Sequence, residues 1–178
     1  MKTLVIADTH FNHANIATYC DRPANFTELI IKRCRERVAS NNTVIHLGDV
    51  FIGRAEGWKT IRPQLPGIWI LIRGNHDRQR SCSWWMDNGF AFACDGLKFR
   101  NCWLTHEPDT SRASGCDLNI HGHLHNIWDG FSPEGKPYTG LHQSWQRLFS
   151  VEYTNYCPIE FDEFIAHPNK YQSRGKVR

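Results

Sequence analysis

The chain has 178 residues, a mass of 20.7 kDa and a formal net charge of +3, with 40% hydrophobic and 22% charged residues. This composition is typical of one globular domain and argues against long disorder. A mean hydropathy of −0.52, with no apolar run near the roughly 18 residues of a membrane span, argues against a transmembrane helix. The mild basicity permits anionic substrates but does not indicate nucleic-acid binding.

The cysteines and the first residues bear on the cellular compartment. Seven cysteines are scattered along the chain without a Cys-x-x-Cys pair. The short apolar opening is interrupted by Asp8 and His10 and lacks a small-residue cleavage site, so it predicts a strand and not a signal peptide. We therefore expect reduced thiols, a cytoplasmic location and no membrane partner.

The first half of the chain alternates strand and helix patterns. Short apolar runs predict strands at 2–7, 43–47 and 68–72. Between the first two, apolar residues recur at helical spacing and predict a helix over 26–39, with Asn25 as a candidate start.

The second half is mostly strand-like, with runs at 90–94, 97–105, 117–121 and 147–153. Together the two halves predict an α/β fold of layered mixed β-sheets, with two stacked sheets flanked by helices. No Pro/Gly/Ser linker divides the chain, so we expect a single domain over 1–167 and a basic C-terminal tail over 168–178.

Polar residues of metal-binding type follow several of the predicted strands. The segments are Asp8-Thr9-His10, Gly48-Asp49, Gly74-Asn75-His76-Asp77, Thr105-His106 and Gly122-His123-Leu124-His125. In an extended chain, residues two apart point the same way, so each pair at that spacing can reach one ion. Because ligands of α/β sheets bind beyond the carboxyl ends of strands, we expect these segments to converge.

The five segments in this order resemble the pattern of the calcineurin-like metallophosphoesterase family: DxH, GD, GNH with D or E, a lone H, and GHxH. The resemblance covers residues 8–125, lacks no ligand position and is similar to compact bacterial and phage members. It implies a centre for two divalent ions held by seven side chains: Asp8, His10 and His125 on the first ion, Asn75, His106 and His123 on the second, and Asp49 bridging both.

The donor types and the resemblance also indicate the ions and the catalytic groups. Carboxylate, amide and imidazole ligands without thiolate suit manganese first, with iron, zinc or nickel as alternatives. Two such ions would lower the pKa of a bridging water and position the resulting hydroxide behind phosphorus. The resemblance places His76 beside the leaving-group oxygen as proton donor, and Asp77 is expected to orient it. His46 and His121 are expected to be structural.

Four further residues are candidates for substrate binding. Asn12 and His13 follow the first ligands, and Arg22 lies in Cys20-Asp21-Arg22-Pro23, which is similar to an element of compact family members. Arg54 follows Asp49 by a few residues. A guanidinium beside the ions could bind a phosphate oxygen.

The resemblance implies a metal-dependent phosphoesterase acting on a small phosphate ester, with a nucleotide as one candidate. Phosphodiesters, including 2′,3′-cyclic nucleotides, are favoured because the arginines are scattered and a diester carries only one negative charge. A phosphomonoesterase, a nuclease of the same superfamily and a non-catalytic scaffold are the alternatives. Stable nucleic-acid binding is not expected at this length, and retention of His76 argues against the scaffold.

Overall fold

A computed structural model of the chain describes residues 1–111, 115–126, 144–167 and 170–171. These residues form nine strands: β1 (Thr3–Ile6), β2 (Thr43–His46), β3 (Ile68–Ile72), β4 (Phe92–Cys94), β5 (Leu97–Phe99), β6 (Cys102–Leu104), β7 (Leu118–His121), β8 (Gln146–Leu148) and β9 (Ile159–Glu160). They assemble into two mixed sheets, which confirms the predicted α/β fold with two sheets flanked by helices.

The first sheet has the strand order β4-β3-β2-β1-β9, and the second has the order β5-β6-β7-β8. In the first sheet β1 to β4 are parallel, and β9 is antiparallel to β1. In the second sheet β6, β7 and β8 are parallel, and β5 is antiparallel to β6. Parallel strands place their carboxyl ends at the same edge of each sheet, which is where the polar segments begin.

The described helices are α1 (Ala14–Tyr19), α2 (Phe26–Arg37), α3 (Ala55–Ile61), α4 (Cys82–Asp87) and α5 (Phe161–Ala166). The amphipathic helix predicted over 26–39 is α2, which buries Ile30, Ile31 and Cys34 and ends where Val38 becomes extended. The Ser81 hydroxyl starts α4 by accepting the backbone N–H of Trp84 at 3.0 Å. None of the described helices has the length and apolar character needed to cross a membrane.

The hydrophobic core joins both sheets and contains several of the tryptophans. Trp58 and Phe90 stack at 5.6 Å between ring centroids, and Trp85 meets both rings edge to face. Burying such a side chain contributes about 1.5–3 kcal/mol, so this aromatic cluster is a substantial part of the fold's stability. It lies under the turn that carries His76, because the Trp85 indole N–H donates to the Asp77 carbonyl at 3.1 Å.

Two of the predicted strands are wrong in detail. The run at 97–105 is a hairpin of β5 and β6, and it reverses at Arg100, whose φ of +53° breaks the extended chain. The run at 147–153 ends as a strand at Leu148, and residues 151–156 form turns in which Asn155 and Tyr156 also have positive φ.

Most of the predicted tail, residues 168–178, lies outside the described residues. Of the two described members, Tyr171 is buried against Phe164 at 5.9 Å between ring centroids, and Lys170 pairs with Glu163.

Candidate metal centre

The polar segments singled out in the sequence follow β1, β2, β3, β6 and β7 and meet where the two sheets come together. Backbone hydrogen bonds tie the segments to one another. The Asp8 N–H donates to the Gly48 carbonyl at 2.9 Å, and the Gly122 N–H donates to the His106 carbonyl at 3.0 Å. Asp8 and His10 follow the first sheet and His125 follows the second, and their ligand atoms lie within 4.8 Å of one another, so both sheets contribute ligand candidates to the same place.

The first position is formed by Asp8, His10 and His125, whose ligand atoms lie within 4.8 Å of one another. Both oxygens of the Asp8 carboxylate accept the backbone N–H of His123, at 3.0 and 3.1 Å. Both ring nitrogens of His10 are buried and make no hydrogen bond within the described residues. A buried imidazole without partners is unfavourable unless an ion takes its lone pair.

The second position is formed by Asn75, His106 and His123. The Nε2 of His106 lies 3.0 Å from Oδ1 of Asn75 and 3.1 Å from Nδ1 of His123. Because the Leu47 carbonyl can only accept, the His106 Nδ1 at 2.8 Å from it carries the proton. The Nε2 lone pair of His106 is then free to bind an ion.

Asp49 lies between the two positions. Its Oδ2 is 3.5 Å from Nε2 of His10 and 3.4 Å from Nε2 of His106, whereas its Oδ1 accepts the backbone N–H of His76 at 3.0 Å. One carboxylate oxygen thus faces ligands of both positions. This placement is compatible with a bridging ligand, the role that the family resemblance implies for Asp49.

The pKa shifts of the ligand side chains indicate a site that favours bound cations. Burial raises the pKa of Asp8 to about 6, so its ionised form is disfavoured without a positive partner. Burial also opposes ionisation of Asp49, but the side chains of His106, His10 and His76 around it hold its pKa below the usual range. Burial lowers the pKa of His10 well below its ordinary value and that of His123 to about 4, so both rings are neutral and able to bind metal.

The donor set fits two divalent ions. Two carboxylates, one amide oxygen and four imidazoles converge, and the crowded contacts around His106 Nε2 cannot all be hydrogen bonds. Ions in the first and second positions would bind these groups together with the one lone pair of the neutral His10 ring, which makes no hydrogen bond within the described residues. Hard and borderline oxygen and nitrogen ligands without thiolate are suited to first-row divalent metals.

The backbone is strained where the ligands are. Five non-glycine ligands have φ in the left-handed region: Asp8 (+51°), His10 (+46°), Asp49 (+57°), His123 (+74°) and His125 (+49°). Each such residue costs on the order of 1 kcal/mol or more, and strain of this kind concentrates at functional sites. The left-handed conformation ends the extended direction of each strand and directs these side chains toward the metal positions.

His46 and Thr9 fasten two ligand segments together. The Thr9 hydroxyl donates to the Val50 carbonyl at 2.9 Å and accepts from Nε2 of His46 at 2.9 Å, while Nδ1 of His46 accepts the Gly48 N–H at 3.1 Å. Burial lowers the pKa of His46 to about 3, so the ring stays neutral in this network. His121 is also buried, and its Nδ1 donates to the Gly122 carbonyl. Both residues are structural, as the sequence analysis expects.

His76 lies at the open side of the centre. Its Nε2 is 3.9 Å from Oδ2 of Asp49, and its side chain is 39% exposed. The His76 ring is 5.5 Å from the His10 ring and 6.2 Å from the His13 ring, measured between centroids. An exposed imidazole beside the bridging carboxylate can reach a bound substrate.

The expected role of Asp77 in orienting His76 is not supported. The Asp77 carboxylate is buried and accepts three backbone N–H groups, from Asp49 at 2.6 Å, Val50 at 3.0 Å and Gly74 at 2.8 Å. Burial and the nearby Asp49 raise its pKa to about 7. Asp77 therefore holds the segment that carries Asp49 and contacts the ligands through their backbone.

The expected role of Arg22 in binding substrate is also not supported. Its side chain is 0% exposed and forms an ion pair with Glu152 at 2.6 Å. The guanidinium further donates to the carbonyls of Thr9 at 3.1 Å and Asp8 at 2.8 Å. Its hydrogen bonds within the described residues are made inside the protein, so this buried guanidinium is not available to bind a substrate phosphate.

Glu152 is a residue that the sequence analysis misses. It follows β8 within a run assigned to a strand, and no motif marks it. Its Oε1 lies 3.3 Å from Nδ1 of the ligand His125. The only sequence signal is a lone acidic residue inside an apolar stretch, which calls for a buried cationic partner.

The remaining substrate-binding candidates are only partly placed at the centre. His13 is half-buried, with its ring 5.4 Å from that of His10. Asn12 is exposed, and its amide lies against Gly57 in α3. Arg54 is exposed immediately before α3, and its side chain makes no hydrogen bond or ion pair within the described ranges.

The comparisons with known proteins agree with this site. The model of the calcineurin-like phosphoesterase family matches residues 1–175, and the chain belongs to that family. An uncharacterised protein of Methanocaldococcus jannaschii is 33% identical over 187 residues, which cover 99% of this chain and 94% of that protein.

Two solved structures share the fold. A protein of unknown function from Aquifex aeolicus superposes with a TM-score of 0.66 at 23% identity, covering 93% of this chain and 98% of that one. The nuclease MPE of Pseudomonas putida superposes with a TM-score of 0.50 at 24% identity, covering 69% of this chain and 61% of that one. Family membership and the convergent ligands together identify a metal-dependent phosphoesterase, a hydrolase of phosphate esters.

Proposed function

We propose that the protein hydrolyses phosphodiesters of small molecules, with 2′,3′-cyclic nucleotides as candidate substrates and manganese as the metal in both positions. The observation that carries the proposal is the exposed His76 imidazole, which stands 3.9 Å from the carboxylate shared by both ligand sets. A proton donor in this place can serve a poor alkoxide leaving group, which is what a diester presents.

The charges around the centre favour a substrate with one negative charge. Three nearby arginines are each neutralised by a carboxylate: Arg22 by Glu152 at 2.6 Å, Arg73 by Asp95 at 2.8 Å and Arg78 by Glu107 at 3.0 Å. A monoester dianion needs cations beyond the metals. These three guanidinium groups are already paired, whereas the exposed Arg54 has no ion pair within the described residues. A diester monoanion makes no such demand.

The chain's own residues then have separate tasks in the proposed reaction. Divalent ions, when bound, act as Lewis acids and lower the pKa of water so that a hydroxide nucleophile forms at neutral pH. Asp49 and the histidines fix where the phosphoryl group lies, and His76 gives a proton from Nε2 to the departing oxygen. His13, whose ring centroid lies 6.2 Å from that of His76, is our candidate for contacting the leaving group.

A nuclease is the second candidate. The fold is shared with the Pseudomonas putida nuclease, and nucleic acids contain the same phosphodiester bond. The chain carries a net charge of only +3, which is a weak basis for holding a polyanion. We therefore propose a small substrate and make oligonucleotide cleavage an outcome of the test.

The test compares matched substrates on the Mn²⁺-loaded protein. We expect kcat/KM for 2′,3′-cyclic AMP and bis-p-nitrophenyl phosphate to exceed kcat/KM for 2′-AMP, 3′-AMP and p-nitrophenyl phosphate. A single-stranded oligonucleotide serves as the polymer arm, and Asp49→Ala shows whether any activity belongs to this site. Preference for the monoesters would overturn the diester proposal, and cleavage of the oligonucleotide alone would select the nuclease.

A further inference from the structure

Arg22 and Glu152 form a buried ion pair directly behind the first metal position. Both side chains are 0% exposed, and Nε and Nη2 of Arg22 lie 2.8 and 2.6 Å from the same oxygen, Oε1 of Glu152. The other carboxylate oxygen accepts the Ser150 hydroxyl. Burying a charge pair is unfavourable unless both partners also make hydrogen bonds. Here the additional hydrogen-bond partners, apart from Ser150, belong to the metal ligands or to their immediate neighbours in the chain.

Glu152 acts on His125. Its Oε1 lies 3.3 Å from Nδ1 of His125, while Nε2 of the same ring faces Asp8 at 3.9 Å. A carboxylate can only accept, so the Nδ1 facing it carries the proton and Nε2 presents its lone pair to the metal position. The two protons of Arg22 Nη2 go to the Asp8 carbonyl at 2.8 Å and to Oε1 of Glu152 at 2.6 Å, so this nitrogen, 3.3 Å from the same Nδ1, has no proton left to donate to it.

Arg22 acts on the other two ligands of the first position. It donates to the carbonyls of Asp8 at 2.8 Å and Thr9 at 3.1 Å, so it holds the backbone on which Asp8 and His10 project. One guanidinium therefore joins the end of β1 to Glu152 and, through it, to His125. Within the described residues, no hydrogen bond or ion pair joins Arg22 or Glu152 to Asn75, His106 or His123 of the second position.

The same contacts show why the neighbouring group of Cys20, His125 and Glu152 is not a third metal position. Its ligand atoms are close enough to hold an ion. The Arg22 guanidinium already lies against Oε1 of Glu152 and Nδ1 of His125, so a cation occupies this space.

We infer that Arg22 and Glu152 are positioning residues dedicated to the first metal position: Glu152 selects the metal-binding tautomer of His125, and Arg22 fixes Glu152 against the backbone of Asp8 and Thr9. The inference rests on the same metal centre as the proposed function. Its test uses no substrate, so the two can fail separately.

The experiment is a calorimetric titration of metal-free protein with Mn²⁺. In Glu152→Gln we expect one of the two binding events to weaken by about 10–100-fold, the usual effect of removing a carboxylate that orients a ligating histidine. The other event should keep its affinity. Asn75→Ala, which removes a ligand of the second position, identifies which event is which. Glu160→Gln is the matched control, because the Glu160 side chain is 40% exposed and its ion pair in the described part of the chain is with Lys2.

A second readout separates positioning from general stability. The visible spectrum of the Co²⁺-loaded protein should change in Glu152→Gln and stay unchanged in Glu160→Gln, because ligand geometry sets the absorption bands. A lowered melting temperature with an unchanged Co²⁺ spectrum and unchanged Mn²⁺ affinities would overturn the inference. Equal weakening of both binding events would overturn it as well.

The paired replacement Arg22→Met/Glu152→Leu covers the case in which Glu152→Gln does not fold. Replacing a buried ion pair by apolar residues of similar volume is commonly neutral for stability. This double variant should fold, judged by circular dichroism, and should lose Mn²⁺ affinity at the first position only. Wild-type affinity at both positions in the double variant would refute the assignment.

Discussion

Asp49 is the carboxylate that lies next to ligands of both metal positions and to the backbone of His76. Its Oδ2 lies between His10 and His106, and its Oδ1 is held by the backbone of His76. A change at this residue therefore disturbs both metal positions together, whereas a change at Asn75 removes a ligand of the second position only.

Asp49→Ala should lose most bound metal from both positions and nearly all turnover, since a bridging ligand serves both ions. Metal content measured by elemental analysis after Mn²⁺ loading checks the expectation. Asp87→Ala, an exposed residue of α4, is the control and should keep its metal. Full occupancy of both positions in Asp49→Ala would show that the ligand assignment is wrong.

His76→Ala should separate chemistry from metal binding. We expect metal content to stay at the wild-type level and kcat to fall by roughly 10²–10⁴, the contribution typical of a general acid. His167→Ala, which changes an exposed histidine remote in sequence from the motifs, should leave kcat unchanged. If His76→Ala lost metal as well as rate, His76 would be a ligand and not the proton donor.

At the scale of secondary-structure elements, the loops after β2 and β3 lie so close together that a single added methyl group would clash. A Cβ on Gly74, which follows β3, would lie 2.1 Å from Oδ1 and 2.6 Å from the backbone nitrogen of Asp49. Neither atom can move without displacing the bridging carboxylate.

Gly74→Ala should therefore reduce bound Mn²⁺ toward the level of Asp49→Ala. Gly57→Ala in α3 is the matched control, because its Cβ would meet the flexible end of Asn12 and the Phe51 ring. Metal content after loading compares the two variants. An undiminished metal content in Gly74→Ala would mean that the loops after β2 and β3 are not held against each other as described.

The elements also show what the sequence can and cannot predict. The ligands are predictable because Asp8, Asp49 and Asn75 follow apolar runs within three residues, and parallel strands bring such ends together. The hairpin at Arg100 and the turns after Leu148 are not, because both interrupt runs of uniform strand character.

The roles of Arg22 and Asp77 are predicted wrongly for a related reason. A motif places each residue near the ligands but does not fix which way its side chain points. That direction depends on distant partners, and Glu152, the partner of Arg22, is 130 residues away.

At the scale of the whole molecule, the centre joins the two sheets. The His123 N–H from the second sheet binds the Asp8 carboxylate, and Nδ1 of His106 binds the Leu47 carbonyl of the first. Ions shared by ligands from both sheets bind the folded state alone, and they stabilise it by mass action.

Metal removal should therefore lower the melting temperature. At a free-ion concentration near 100 times Kd the stabilisation is about 2.7 kcal/mol. For a chain of this length this corresponds to about 5–10 °C. Differential scanning calorimetry with and without chelator measures it, and Asp49→Ala should show a much smaller shift. An unchanged melting temperature of the wild type on chelation would count against the site.

The most direct test of the central claim, a two-ion centre bridged by Asp49, is an anomalous difference map of Mn²⁺-loaded crystals. The account predicts two manganese peaks, one among Asp8, His10 and His125 and one among Asn75, His106 and His123, with the Asp49 carboxylate touching both. A single peak, or manganese bound away from Asp49, would contradict it.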